Sequence, residues 1–229
     1  MAEAAGGALS ATATPLAPDR PAFSIWSAVY TGLAVFAVVQ ALPRRAGDRR
    51  LRAVSWWVLA SMVLNALWIA TVQADSVGGS VLVILALVAV LATVLVRLVR
   101  IPHTDTAASL VTDVTVGLYL GWVSVATLAN VAAFLAVAEV GGLGLGATTW
   151  SVVVLAVAAV LAVAYAVVAR GRPSVAVPIG LATAWGLTWI GVGRTAGPLV
   201  DGTVATAAFV AAAVALVAPL VTTLLARRR

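Results

Sequence analysis

The sequence predicts an all-α fold: a polytopic membrane helix bundle of about seven transmembrane helices. Three observations carry that prediction. The 229 residues are 63% hydrophobic and 10% charged, with a mean hydropathy of +1.11, whereas a soluble domain carries about 25% charge. Apolar runs of about 20 residues, the helical length that crosses the hydrocarbon core, recur along the chain. The arginines gather at the ends of those runs, on alternate connections, which is a topology signal.

Residues 1–20 are rich in Ala, Gly, Thr and Pro. They lack a basic segment followed by an apolar core, so they do not read as a signal peptide. They are expected to form a mobile tail, and residues 21–229 one transmembrane bundle. The first span runs from about 22 to 42 and stops before Pro43, because the residue preceding a proline disfavours helix. The second covers about 53–73. The third, about 77–99, is opened by the turn-like Ser76-Val77-Gly78-Gly79. The fourth covers about 113–137, with Asp113 at its start as the expected N-cap. The fifth, sixth and seventh cover about 150–169, 175–193 and 202–226. Connections are short, so consecutive helices are expected to be antiparallel neighbours. Asp75 and Glu139 read as loop residues and His103 as a solvated loop histidine. Pro178 and Pro219 are expected to kink their helices. The glycine-rich run 141–146 follows no strand and is not a phosphate loop.

Charge orients the bundle. Arg44, Arg45, Arg49, Arg50, Arg52, Arg97, Arg100, Arg170, Arg172 and the terminal Arg227-Arg228-Arg229 fall on one side. The other side holds Arg20 and Arg194 with Glu3, Asp19, Asp75, Glu139 and Asp201. The positive-inside rule then gives an outside N-terminus and a cytoplasmic C-terminus, in a multi-pass protein of the cell membrane. The net charge of +6 is thereby explained without a nucleic-acid partner. The arginine-rich rim is suited to anionic lipid, but topology accounts for it.

Absent residue types remove whole classes of chemistry. Without cysteine there is no disulfide, thiolate nucleophile or iron–sulfur cluster. Without lysine there is no Schiff base, so retinal and pyridoxal chemistry are excluded. One histidine rules out His-cluster metal sites. No cofactor and no catalytic constellation is expected, and no carboxylate lies clearly mid-membrane, which argues against ion coupling.

The polar and aromatic residues inside the spans form stripes. Trp57, Ser61, Asn65 and Trp68 share one face of the second span, and Trp26, Tyr30, Leu33, Ala37 and Gln40 one face of the first. Tyr119, Trp122, Ala126 and Asn130 do so in the fourth. An amide in hydrocarbon needs an internal partner, so Asn65 and Asn130 either glue helices together or meet a ligand. Together the stripes are able to line a pocket for a flat, largely apolar ligand with a polar edge. Trp26, Trp56 and Trp150 equally suit interfacial anchoring. Gly117 and Gly121 form a G-x-x-x-G pair, which serves close helix approach within the chain or in a homodimer.

Three segments resemble the tryptophan-rich sensory protein (TspO/MBR, translocator-protein) family. Pro21-Ala22-Phe23-Ser24-Ile25-Trp26-Ser27-Ala28-Val29-Tyr30 resembles its P-x-W-x-F-x-P-x-W-x-x-L-Y region. Leu64-Asn65-Ala66-Leu67-Trp68 resembles its L-N-x-x-W motif. The stretch from Tyr119 to Asn130 resembles Y-x-x-W-x-x-F-A-T-x-L-N. The resemblance covers about residues 21–136, leaving three helices over 150–226 unmatched. The family's usual bundle has five helices, the first of which precedes the matched region. Its K-P-x-W-x-P-P loop is reduced here to Ala17-Pro18-Asp19-Arg20-Pro21. The resemblance implies a pocket for a tetrapyrrole such as protoporphyrin, or a sterol-like ligand, and a sensing, trafficking or regulatory role. By matched position it implies Trp26, Tyr30, Asn65, Trp68, Trp122 and Asn130 as ligand-binding residues. A small-molecule permease and a purely structural or partner-binding membrane protein remain the alternatives.

Overall fold

The computed structural model describes residue 10 and residues 12–103, 105–140 and 145–227. Seven helices cross from end to end: α1 (Ile25–Ala41), α2 (Arg49–Gln73), α3 (Val77–Arg100), α4 (Thr106–Val137), α5 (Ala147–Val168), α6 (Pro173–Thr195) and α7 (Gly202–Arg227). A 3₁₀ turn over Arg20–Ser24 leads into α1. All seven are long and apolar enough to span a membrane, and no strand occurs among the described residues. Most of the glycine-rich run, residues 141–144, lies outside the described residues, as do residues 1–9 of the expected tail.

The α4 start departs from expectation. The helix begins seven residues before Asp113, and the cap is Asp105, whose carboxylate accepts from the Ala108 N–H at 2.9 Å. Arg45 lies 2.7 Å from Asp105 and holds its carboxyl below the usual aspartate range, helped by the backbone N–H. Asp113 therefore sits two turns inside the helix, with no exposed surface. It pairs with Arg50 of α2 at 2.7 Å, accepts from the Ser174 hydroxyl of α6 at 2.6 Å, and meets His103 Nε2 at 3.2 Å. Arg50 also donates to the Leu98 carbonyl of α3. The expected N-cap is thus a buried charge joining four helices, and the expected loop histidine is one of its partners. A buried pair of this kind persists only when each charge keeps its partner.

Helix α6 is the centre of the bundle, with 67% of its apolar window buried. It packs between α4 and α7 through small residues. A Cβ on Gly117 would lie 2.8 Å from Pro178 Cβ, and one on Gly121 would overlap the Ile179 carbonyl oxygen. On its other face, a Cβ on Gly180 would lie 2.9 Å from Pro219 Cγ. The G-x-x-x-G pair is therefore occupied within the chain, by α6. Both prolines sit inside unbroken helical segments, packed against glycines of a neighbour.

Helix α1 packs most closely on α4, not on its sequence neighbour α2, which it meets through side chains. The reason is the size of what lies between: an aromatic cluster fills the space where α1, α2 and α4 converge. The segment before α1 is packed as well. Thr14, Leu16 and Ala17 are buried, although the sequence reads as tail through residue 20. Arg194 of α6 donates to the Thr14 carbonyl at 3.0 Å, and the Asp19 N–H donates to the Trp189 carbonyl at 3.2 Å. Residues 14–19 form a strap across the arginine-poor end.

Candidate ligand cavity

Trp26 is the hub of the cluster. Its ring stacks on Tyr30 at 5.2 Å and on Trp68 at 6.5 Å, and meets Tyr119 and Trp122 edge-on at 5.9 and 6.3 Å. Phe23 meets Trp122 edge-on at 5.6 Å. Edge-to-face and offset contacts at these separations suit the ring quadrupole. Trp26 is only 8% exposed, so the interfacial-anchor reading fails for it. Trp56, at 76% exposed, retains an outward face suited to lipid.

Beside this cluster, under the strap, lies a cavity of about 50 Å³. Phe23, Trp68, Val72, Trp122 and Asn130 wall it, α4 contributes Ala126, Ala129 and Ala133, and Thr14, Ala17 and Pro18 close it. Small side chains at 126, 129 and 133 leave the space that the indoles border. Of the residues expected at a site, Trp68, Trp122 and Asn130 line the cavity. Trp26 supports two of them from behind. Tyr30 and Asn65 are brought together elsewhere: the Asn65 amide donates to the Tyr30 hydroxyl at 3.1 Å, tying α2 to α1. Tyr30 is 45% exposed and does not line the cavity.

Of the strap residues, Thr14 escaped sequence reasoning, whereas Ala17 and Pro18 stand in the segment that resembles the reduced K-P-x-W-x-P-P loop. They show no helical or strand period, and the signal that marked them was the run Pro15-Leu16-Ala17-Pro18, whose Leu16 is an isolated large apolar residue. Leu16 is 4% exposed and joins the core formed with α5, α6 and α7.

The cavity lining is not fully hydrogen-bonded. The indole N–H groups of Trp68 and Trp122, the Asn130 amide nitrogen and the Thr14 hydroxyl are buried without a partner among the described residues. Each such group costs about 1–3 kcal/mol when left unpaired. Asn130 is anchored at its other atom, because Ser80 Oγ lies 3.0 Å from its Oδ1. The single Ser80 proton is shared with the Val77 carbonyl at 2.7 Å. No group of three or more His, Cys, Asp or Glu residues suited to a metal occurs among the described residues.

Seven apolar spans around a buried aromatic cavity define a polytopic helical membrane protein with an internal pocket. The chain belongs to the TSPO-like protein family, whose sequence pattern it matches over residues 2–221. The match therefore includes α5, α6 and most of α7, beyond the motifs of residues 21–136. Neither a curated protein nor a solved structure matches the chain.

Proposed function

We propose that this TSPO-like membrane protein is a sensor or carrier that binds a flat, apolar ligand, tetrapyrrole or sterol-like, in the aromatic cavity. The observation that supports this most directly is an almost wholly apolar cavity bordered by Phe23, Trp68, Trp122 and Asn130, whose rings are suited to stack on a planar ligand. Closed, the cavity is far below the roughly 300 Å³ that small-molecule pockets start from. Binding a ligand of that size therefore requires the lining to widen. The permease reading gains nothing from Pro178 and Pro219, which are wedged against glycines.

Protoporphyrin titration of the purified protein in detergent tests the reading, followed by tryptophan quenching and the porphyrin Soret shift. Saturable binding is expected. Trp68→Ala and Asn130→Ala should weaken it by about tenfold or more, the effect of losing at least one good contact (about 1.4 kcal/mol per tenfold). Trp150→Ala, outside this cavity, should have a smaller effect. Equal losses in all three would reject the cavity as the site.

The arginine-rich end carries Arg44, Arg45, Arg49, Arg50, Arg52, Arg97, Arg100, Arg170 and Arg172, and on the proposed reading it faces the cytoplasm of a cell-membrane protein. The chain has no cysteine, so single-cysteine labelling reads this directly. A Cβ at Gly47 or Gly146 meets nothing within 4 Å. Gly146→Cys should react with an impermeant maleimide on intact cells, and Gly47→Cys only after permeabilisation. The opposite pattern would invert the orientation.

A further inference from the structure

We infer that the cleft between the ends of α5 and α7 is a binding site for one anionic phospholipid, with an acyl chain on its apolar walls and the phosphate at its arginines. The cleft lies at the arginine-rich end, opposite the strap, and measures about 370 Å³. Val167 and Arg170 line one side, and Thr222, Leu225 and Ala226 the other. The two helices create it by the way their packing ends. They meet through small residues, among them Ala158, Ala162, Ala208 and Ala212. Beyond Pro219 no residue of α7 is buried. Val167 is left 48% exposed and Leu225 57%, so apolar side chains of both helices face an open groove.

Charge complementarity selects the occupant. Between residues 147 and 229 the only acidic residue is Asp201, at the opposite end of the bundle. Arg170 lines the groove and Arg227 follows Ala226 directly. Both are exposed, and neither has a hydrogen bond or ion pair among the described residues. By contrast, Arg45 and Arg50 are paired with Asp105 and Asp113, and Arg97 lies over the Trp57 ring. The sequence adds Arg228 and Arg229 to the same segment. A guanidinium binds phosphate oxygens through paired N–H donors. A zwitterionic lipid brings its own cation beside the phosphate, so this corner attracts it less. Depth agrees as well. The 26 residues of α7 rise about 39 Å, more than the roughly 30 Å of hydrocarbon, which brings the last turns of α7 to the level of lipid phosphates. Topology explains which end the arginines take; it does not explain an apolar groove beside them.

The test is native mass spectrometry of the full chain in a neutral detergent, titrated with phosphatidylglycerol or with phosphatidylcholine of the same acyl chains. One phosphatidylglycerol should be retained, at a concentration about tenfold or more below that needed for phosphatidylcholine. Arg170→Gln and Arg227→Gln should each weaken its retention about fivefold, the worth of one arginine at an anionic lipid surface, and the double variant should erase the preference between the two lipids. Arg44→Gln, an exposed arginine at the same end but on the connection between α1 and α2, should change nothing. Thr222→Trp fills the groove and keeps every arginine, and should also lose the lipid. All four substitutions lie outside the buried core, so their melting temperatures in detergent alone should match the parent. Equal retention of the two lipids overturns the inference. So does an equal loss in Arg44→Gln and Arg170→Gln, which would make the attraction diffuse charge, or undiminished retention in Thr222→Trp, which would leave the groove unused. A dimer that retains no lipid overturns it too, and gives the groove to a second copy of the chain.

Discussion

Asp113→Ala should destabilise the protein by about 3–5 kcal/mol, because it leaves the Arg50 guanidinium buried without its charge partner. Arg50 is 2% exposed and Asp113 is not exposed at all. Its remaining hydrogen bond, to the Leu98 carbonyl at 3.0 Å, does not neutralise it. The Ser174 hydroxyl and His103 lose their acceptor in the same step. The measurement is the melting temperature of the detergent-purified protein, together with its yield from the membrane. A double variant, Arg50→Met with Asp113→Leu, should recover much of the loss, since an apolar pair of similar volume replaces a buried ion pair at little cost. If Asp113→Ala melts like the parent, the pair does not hold the four helices together. If the double variant is as poor as the single one, the loss comes from the packing of α4 and not from an orphaned charge.

Gly121→Val should be the other severe substitution. Even the first carbon of the new side chain would fall on the Ile179 carbonyl oxygen of α6, and would lie 2.9 Å from Ala182 Cβ. Backbone cannot rotate out of the way as a side-chain tip can, so α4 and α6 must separate. Overpacking typically costs about 1–3 kcal/mol, and this contact belongs at the upper end. Helix association in lipid rests on close packing and not on hydrophobic exclusion, so separation is not offset elsewhere. Gly202→Ala, where an added carbon meets nothing within 4 Å, is the control. A Gly121→Val protein that melts with the control would show that α6 does not lie against α4 along this face.

Much of the cavity was legible because three of its lining residues, on two helices, obey helical period. Trp68 on α2 and Trp122 and Asn130 on α4 sit on stripes that a helix brings to one face. The same period also nominated Asn65 and Tyr30, which bond to each other at 3.1 Å, with Tyr30 45% exposed. A stripe fixes the face of a helix, and it says nothing of which residue on that face meets a neighbour and which meets empty space. Small residues decided that: Ala126, Ala129 and Ala133 leave the opening beside Trp122 and Asn130.

The seven apolar lengths and the gathering of the arginines at alternate connections were legible in sequence alone, since length and charge placement are properties of the chain itself. The absence of cysteine and lysine likewise excluded thiolate and Schiff-base chemistry before any fold was known. Tertiary structure alone decided that Asp113 meets Arg50 across 63 residues of sequence. It also decided that α6 is the inner helix, because burial on both faces comes from partners on α4 and α7. The strap is the same case. Thr14 to Asp19 carries no periodic signal, and its place over the cavity is set by a carbonyl and a guanidinium on α6, whose positions exist only once the bundle has formed.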